Sequence, residues 1–413
     1  MTENDSPSSE AFHQPAVPAP AEIIVPQAPL EPESTSAAAF TPQWPPAPMP
    51  QVSPDALPPS MPYAFPVSSS RGKIKRRNIL LRAGSLVALT GLSTLIGGPM
   101  ALHWLVRHLP PHPALRYEGH WNGVYALAWS PDGSRIASVG REGRFHIWGP
   151  RTAQTLFTSP EIEYQFSAFN YAALAWSPDA RFLAFSWADQ QIQVWNVTAQ
   201  HQQLSYGDSV IVSWSPNGNY LATIFHFGQS STFCIWEALT GKKLFTQDRV
   251  EVCAINALTW SPDSTYIAFA SDDKLNSVQI WKALSAEQFP GYTRHRGNVS
   301  SLSWSPDGTY IVSAETDHTV QVWHPVAGHR LTYRGHADQV YVASWSPNGK
   351  YIASASADRT VQVWHPATGK CLFTYQGHPY DVTSMVWSPD SKSIASASSS
   401  LPDVHVWNLP TNL

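Results

Sequence analysis

The chain has 413 residues, of which 43% are hydrophobic and 14% charged, enough apolar material for a core of several hundred residues. A formal net charge of -4 leaves no field for tracking a phosphate backbone, so nucleic acid is not expected as a partner. Three cysteines, Cys234, Cys253 and Cys371, form neither a disulfide framework nor metal-ligand spacing, and each is expected as a small buried residue beside a strand.

Residues 1–70 carry 17 of the 36 prolines and seven acidic residues, with no Lys or Arg. Such a segment cannot bury enough apolar surface to offset its ordering entropy and reads as a disordered, Pro-rich tail. Its Pro45-Pro46-Ala47-Pro48 run suits a groove-type partner. A basic segment comes next at 71–82, with Arg71, Lys73, Lys75, Arg76, Arg77 and Arg82. Residues 83–106 then contain no Asp, Glu, Lys or Arg. As a helix they would extend about 36 Å, enough to cross a bilayer with some tilt. The positive-inside rule would keep the tail in the cytoplasm and place residues 107–413 outside a cell membrane. Arg76-Arg77 before an apolar run also resembles a twin-arginine export signal, so a cleaved leader and a misread segment stand as alternatives. Residues 107–113, with Pro110, Pro111 and Pro113, form a short linker.

From residue 114 the pattern changes. Trp-Ser-Pro recurs at Trp129, Trp176, Trp214, Trp260, Trp304, Trp345 and Trp387, and a second Trp closes each unit at 148, 195, 236, 281, 323, 364 and 407. Closing tryptophans 41 to 47 residues apart fit a four-stranded sheet repeated seven times. In the first unit Val124 to Trp129 reads as the inner strand, Ser130-Pro131-Asp132-Gly133 as a hairpin turn, Arg135 to Val139 as the second strand and Arg144 to Trp148 as the third. Cys371 to Tyr375 exemplifies an outer strand. The seventh unit lacks its own, and Leu115-Arg116-Tyr117-Glu118-Gly119-His120 matches Leu331-Thr332-Tyr333-Arg334-Gly335-His336. Residues 114–118 are therefore expected to pair with the last unit and close a ring, removing two sheet edges.

Gly335-His336, Trp345-Ser346-Pro347-Asn348-Gly349 and Asp358 six residues before Trp364 resemble the WD-repeat β-propeller family. With the segment at 83–106, the chain resembles a bacterial-type membrane-anchored member. The resemblance implies an all-β, seven-bladed propeller of four-stranded antiparallel blades over 114–409. It also implies a structural clasp in each blade that joins the Gly-His histidine, a second-strand hydroxyl, a hairpin acid and the closing Trp. Carried over, the clasps are His120, Glu142 and Trp148 in blade one; Asp317 and Trp323 in blade five; His336, Ser354 or Ser356, Asp358 and Trp364 in blade six; and His378 and Trp407 in blade seven. Blade two keeps Asp189 without a histidine, and blades three and four lack most of the set.

No phosphate loop, His-Glu-x-x-His or Gly-x-Ser-x-Gly pattern occurs. Thr240-Gly241-Lys242 and Thr368-Gly369-Lys370 read as turns, and Asp272-Asp273 as a solvated hairpin rather than a calcium loop. No enzyme activity, cofactor or metal is expected. The resemblance implies a non-catalytic scaffold for protein partners, monomeric as a propeller, using the face that carries the outer-to-inner loops and second-to-third hairpins. That face would include Trp121, Tyr125, Arg141, Asn298, Ser300, Gln339, Tyr341, Tyr380, Asp381 and Thr383, with its four aromatics on blades one, six and seven. Alternatives are a transmembrane sensor acting through the tail and an enzyme using the channel. Against the enzyme, the inner-strand starts Ala172, Val210, Asn256 and Ser300 offer no converging acids or histidines.

Overall fold

The computed structural model describes residues 115–161, 172–187, 191–208, 211–227, 230–250, 255–271, 277–285 and 287–410. The tail at 1–70, the basic segment at 71–82, the apolar segment at 83–106, the linker at 107–113, Asp189, Val210, Cys253 and Asp272-Asp273 lie outside them. Among the described residues no helix is long and apolar enough to cross a membrane.

Each Trp-Ser-Pro unit makes the same hairpin. In blade one the Ser130 hydroxyl donates to Asp132 and accepts the Arg135 amide at 2.9 Å, while Asp132 accepts the Ser134 amide at 3.0 Å. The fourth turn residue is left-handed in all seven repeats. Gly133, Gly218, Gly308 and Gly349 take that conformation without a Cβ penalty, and Ala180, Ser264 and Ser391 take it with φ near +60°. The repeat thus holds its turn geometry even where the preferred residue is missing.

These hairpins set seven four-stranded antiparallel sheets. Six take their strands consecutively, as blade six does with Val340–Trp345, Ile352–Ser356, Val361–Trp364 and Cys371–Tyr375. The seventh combines Ser384–Trp387, Ser393–Ala397 and Val404–Asn408 with the first strand of the domain, Leu115–Tyr117. The register there is Leu115 to Val406, Arg116 to His405 and Tyr117 to Val404, so the ring closes as its sequence repeats require. Inner strands pack side by side around the circle, blade seven against blade one included. The apolar faces meet between blades; one cluster joins Tyr117, Val124, Ile136 and Trp148 to Ala395, Val404 and Val406 across the seam. In blades one and six the second and third strands are buried on both faces, which explains their near-continuous apolar runs.

The cysteines divide. Cys234 is buried as expected, but Cys371 is exposed because it opens an outer strand whose first residue faces solvent.

Candidate protein-interaction site

The loops of the candidate face are held by the clasps beneath them. In blade six His336 donates from Nδ1 to Asp358 at 2.8 Å. Its Nε2 meets the Ser354 hydroxyl at 2.7 Å, and Ser354 also accepts the Trp364 indole N–H at 3.2 Å. The hydroxyl in the set is Ser354; Ser356 instead donates to the Asp338 carbonyl. Burial works to raise the Asp358 carboxyl, but hydrogen bonds from His336 and Thr360 outweigh it and hold it below the usual range. Blade one makes the same set with Glu142 as acid: His120 bonds Glu142 through Nδ1 and Ser138 through Nε2 at 2.7 Å, and Trp148 donates to Ser138 at 3.0 Å. Gly140 is needed here, because a Cβ would come within 2.3 Å of both Glu142 carboxylate oxygens.

Blade five corrects the sequence reading. His295 donates to Glu315, not Asp317, at 2.9 Å, and Glu315 also accepts the Arg296 and Gly297 amides. Asp317 turns to its own loop, accepting from Thr319 through both backbone and hydroxyl. The rewritten His295-Arg296-Gly297 moves the acid two residues inward, onto a fully buried strand position. In blade seven His378 and Trp407 share Ser396, while the nearest acid, Asp403, bonds His405 at 3.0 Å and Arg116 at 3.1 Å.

A further layer of the clasp escaped the sequence reading. A tyrosine three residues before each clasp histidine, from the preceding blade's outer strand, stacks on the closing tryptophan: Tyr117 on Trp148, Tyr292 on Trp323, Tyr333 on Trp364 and Tyr375 on Trp407, at centroid separations of 4.3 to 4.7 Å. Its hydroxyl bonds the residue two before that Trp, which is Gln321 and Gln362 in blades five and six, and His146 and His405 in blades one and seven. The fixed Tyr-x-x-His spacing was the available signal.

The His substitutions stack two imidazoles at each side of the seam, His120 on His146 at 4.1 Å and His378 on His405 at 4.2 Å. Burial, reinforced by the neighbouring histidine, lowers His146 to about 4 and His378 to about 3. His120, Glu142 and His146 bring three donor atoms within 4.8 Å. The two rings are parallel to within 8°, however, and an imidazole binds a metal in its own plane, so their lone pairs do not converge on one ion. The trio acts as a clasp.

Above this frame the predicted face separates into exposed and structural residues. Trp121 is 74% and Tyr380 52% exposed, and each directly follows a clasp histidine segment, on blades one and seven. Arg141 and Asn298 are also exposed. Tyr125 is half-buried against Trp187 at 5.8 Å, and Tyr341 is half-buried with its hydroxyl 3.5 Å from Asp381. Ser300 donates to the Val340 carbonyl of the next blade at 2.7 Å, and Thr383 accepts the Ser399 amide. The Gln339 amide donates to Asp338, and Gln339 itself is half-buried. The four expected aromatics thus reduce to two solvent-facing ones, because Tyr125 packs its ring on Trp187 of the next blade and Tyr341 is half-buried with its hydroxyl turned to Asp381.

Residues 112–149, 247–282, 288–324, 329–365 and 369–408 match the model of the WD domain, G-beta repeat. Over 185 residues, covering 38% of this chain and 20% of the relative, the sequence is 25% identical to Protein HIR1 of Cryptococcus neoformans. It is 24% identical over 179 residues to transcription initiation factor TFIID subunit 5 of Caenorhabditis elegans, covering 41% of this chain and 25% of that protein. A 39-residue segment is 44% identical to rat coronin-7, 4% of that protein's length. The chain therefore spans a quarter or less of these relatives. They are fungal, nematode and mammalian, and give no support to a bacterial-type assignment.

Proposed function

We propose that the protein is a non-catalytic scaffold that presents a rigid loop face to protein partners, since five of its seven repeats match the WD40 repeat and its seven four-stranded sheets close into a ring. The observation that carries this is the pair Trp121 and Tyr380, two large aromatics left in solvent on adjoining blades while clasps fix the loops they stand on. Aromatics displayed on a pre-ordered surface bind with little loop-ordering cost, and Trp and Tyr are favoured as anchors. Arg141, whose amide donates to the Gly123 carbonyl at 2.7 Å, adds an exposed charge beside them. The test is affinity capture with wild type and the Trp121→Ala/Tyr380→Ala double variant. Loss of specific partners from a variant with unchanged melting supports the reading; an unchanged partner set overturns it.

The same proposal places the scaffold at a membrane, propeller outside and Pro-rich tail inside, through residues 83–106. Its support is the charge-free run itself and the six basic residues that precede it. Fractionation combined with protease treatment of intact and permeabilised cells carrying a C-terminal tag decides it. Cleavage of the tag in intact cells, with the protein in the membrane fraction, is expected. Recovery in the soluble fraction, or protection until permeabilisation, removes the outward-facing anchor.

A further inference from the structure

Blade five departs from its neighbours in more than its clasp. Arg294 stands where the other clasped blades have Gly119, Gly335 and Gly377, at the second position after the stacking tyrosine. A Cβ at those glycines would meet the tyrosine hydroxyl at 2.1 to 2.2 Å, so blade five alone has the local backbone to carry a side chain there. Arg296 replaces Trp121, Ala337 and Pro379, the residues that come directly after the clasp histidine. Arg334, just beyond blade five's outer strand, corresponds to Glu118 and Gln376 on the other clasped blades.

These three arginines line one cleft of about 280 Å³ at the rim of the loop face, with Tyr292, Asp317 and His329 among its walls. All three are exposed, and among the described residues no ion pair is formed by any of them. The single acid of the cleft, Asp317, already accepts two hydrogen bonds from Thr319 at one oxygen. The segment bearing Arg294 and Arg296 is pinned between them, since His295 is buried on Glu315 and the Arg296 and Gly297 amides donate to the same carboxylate. Three guanidinium groups against one carboxylate leave a fixed, local positive site on a protein whose net charge is -4.

We infer that this cleft binds a phosphoryl group carried on a partner polypeptide. A phosphate monoester brings close to two negative charges and three acceptor oxygens, which match planar guanidinium forks better than a single carboxylate does. The site also explains why Asp317 is released from the clasp: withdrawing the acid to Glu315 stabilises His295 from inside and leaves the rim to the arginines.

The test is titration of the purified full chain with a fluorescent phosphoserine peptide of neutral flanks. The unphosphorylated peptide, the Ser→Glu peptide and inorganic phosphate are run in parallel. Saturable one-to-one binding of the phosphopeptide is expected, weakening as salt rises. Arg294→Ala, Arg296→Ala and Arg334→Ala should each weaken it about tenfold, as removal of a charge-assisted hydrogen bond does, with melting temperature unchanged. The Trp121→Ala/Tyr380→Ala variant should bind the phosphopeptide as wild type does, which separates this site from the aromatic one. Absence of saturation, or equal affinity in the arginine variants, overturns the inference. A glutamate peptide that binds as tightly overturns the phosphoryl assignment, and inorganic phosphate that binds as tightly overturns the polypeptide carrier.

Discussion

Blades five, six, seven and one form one arc of the ring, and blades two, three and four the other; the two arcs tie down the same closing tryptophan differently. In the first arc the indole N–H reaches across to a second-strand serine, Ser313, Ser354, Ser396 or Ser138. A histidine from the preceding loop bonds that serine in blades six, seven and one, and a tyrosine from the preceding blade lies flat on the indole in all four. In blades two and four the indole bonds Gln193 and Gln279, two residues away on its own strand, and in blade three it bonds Thr223. The first arrangement couples loop, strand and neighbouring blade; in blades two and four the donor is satisfied locally, and in blade three the indole reaches across to second-strand Thr223 but with Tyr206 tilted 60° to the ring rather than flat on it. Seven sheets of the same topology therefore need not be equally stable, and cooperative units within a repeat fold track such interfaces.

The largest effect should come from breaking the first arc at its seam. Deleting residues 115–117 removes the outer strand of blade seven, the Tyr117 stack on Trp148 and the Arg116 pair with Asp403 together. We expect an early-melting species whose first protease cuts fall in blade seven, as read by thermal melts and timed proteolysis. A deletion protein that melts with the parent would mean that closure adds nothing to stability.

Next in size is the contrast between individual ties. His336→Ala leaves the Asp358 carboxylate without its histidine partner and should cost about 2–4 kcal/mol in denaturant unfolding. Gln193→Ala in blade two removes one neutral hydrogen bond and should cost about 1 kcal/mol. Equal costs would erase the distinction between the arcs.

Acid should then act on the seam histidines before it reaches the Asp358 carboxylate. The native protein holds His146 near 4 and His378 near 3, whereas an unfolded histidine titrates near 6.5. Below that value the unfolded chain binds protons that the native state refuses. Stability is thus fully present above about pH 6.5 and falls as pH drops toward 4 and then 3. His146→Gln, which copies Gln321 and Gln362 and can still meet the Tyr117 hydroxyl, should flatten the upper part of that fall in melts recorded from pH 7 to pH 4. An unchanged slope would move the acid sensitivity to other groups.

The architecture was legible because its signals repeat. Seven Trp-Ser-Pro turns, seven closing tryptophans and an orphaned first strand fix blade number and closure, and the left-handed turn position survives even at Ala180, Ser264 and Ser391. Single-copy features were harder to read. The repeat pattern pointed to Asp317, but a local rewrite around His295 sent the hydrogen bond to Glu315. Tyr125 and Tyr341 look like anchors by type, and only the structure shows that one packs on Trp187 and the other is half-buried beside Asp381. The tyrosine stacks were present as a regular spacing, yet their partners are closing tryptophans of the next blade, a relation that spacing alone does not supply.

The smallest effect gives the sharpest comparison within the clasped arc. By motif, Asp317 and Asp358 are the same residue of successive repeats. By contact, Asp358 holds His336, the Ala337 amide and Thr360, whereas Asp317, among the described residues, holds only Thr319. Asp358→Ala should therefore approach the cost of His336→Ala, while Asp317→Ala should stay within about 1 kcal/mol, the scale of a local loop hydrogen bond. Matching losses in denaturant unfolding would show that blade five uses Asp317 after all. A small loss at 317 with a large one at 358 would show the same motif position serving as a clasp in one blade and released to the rim in the next.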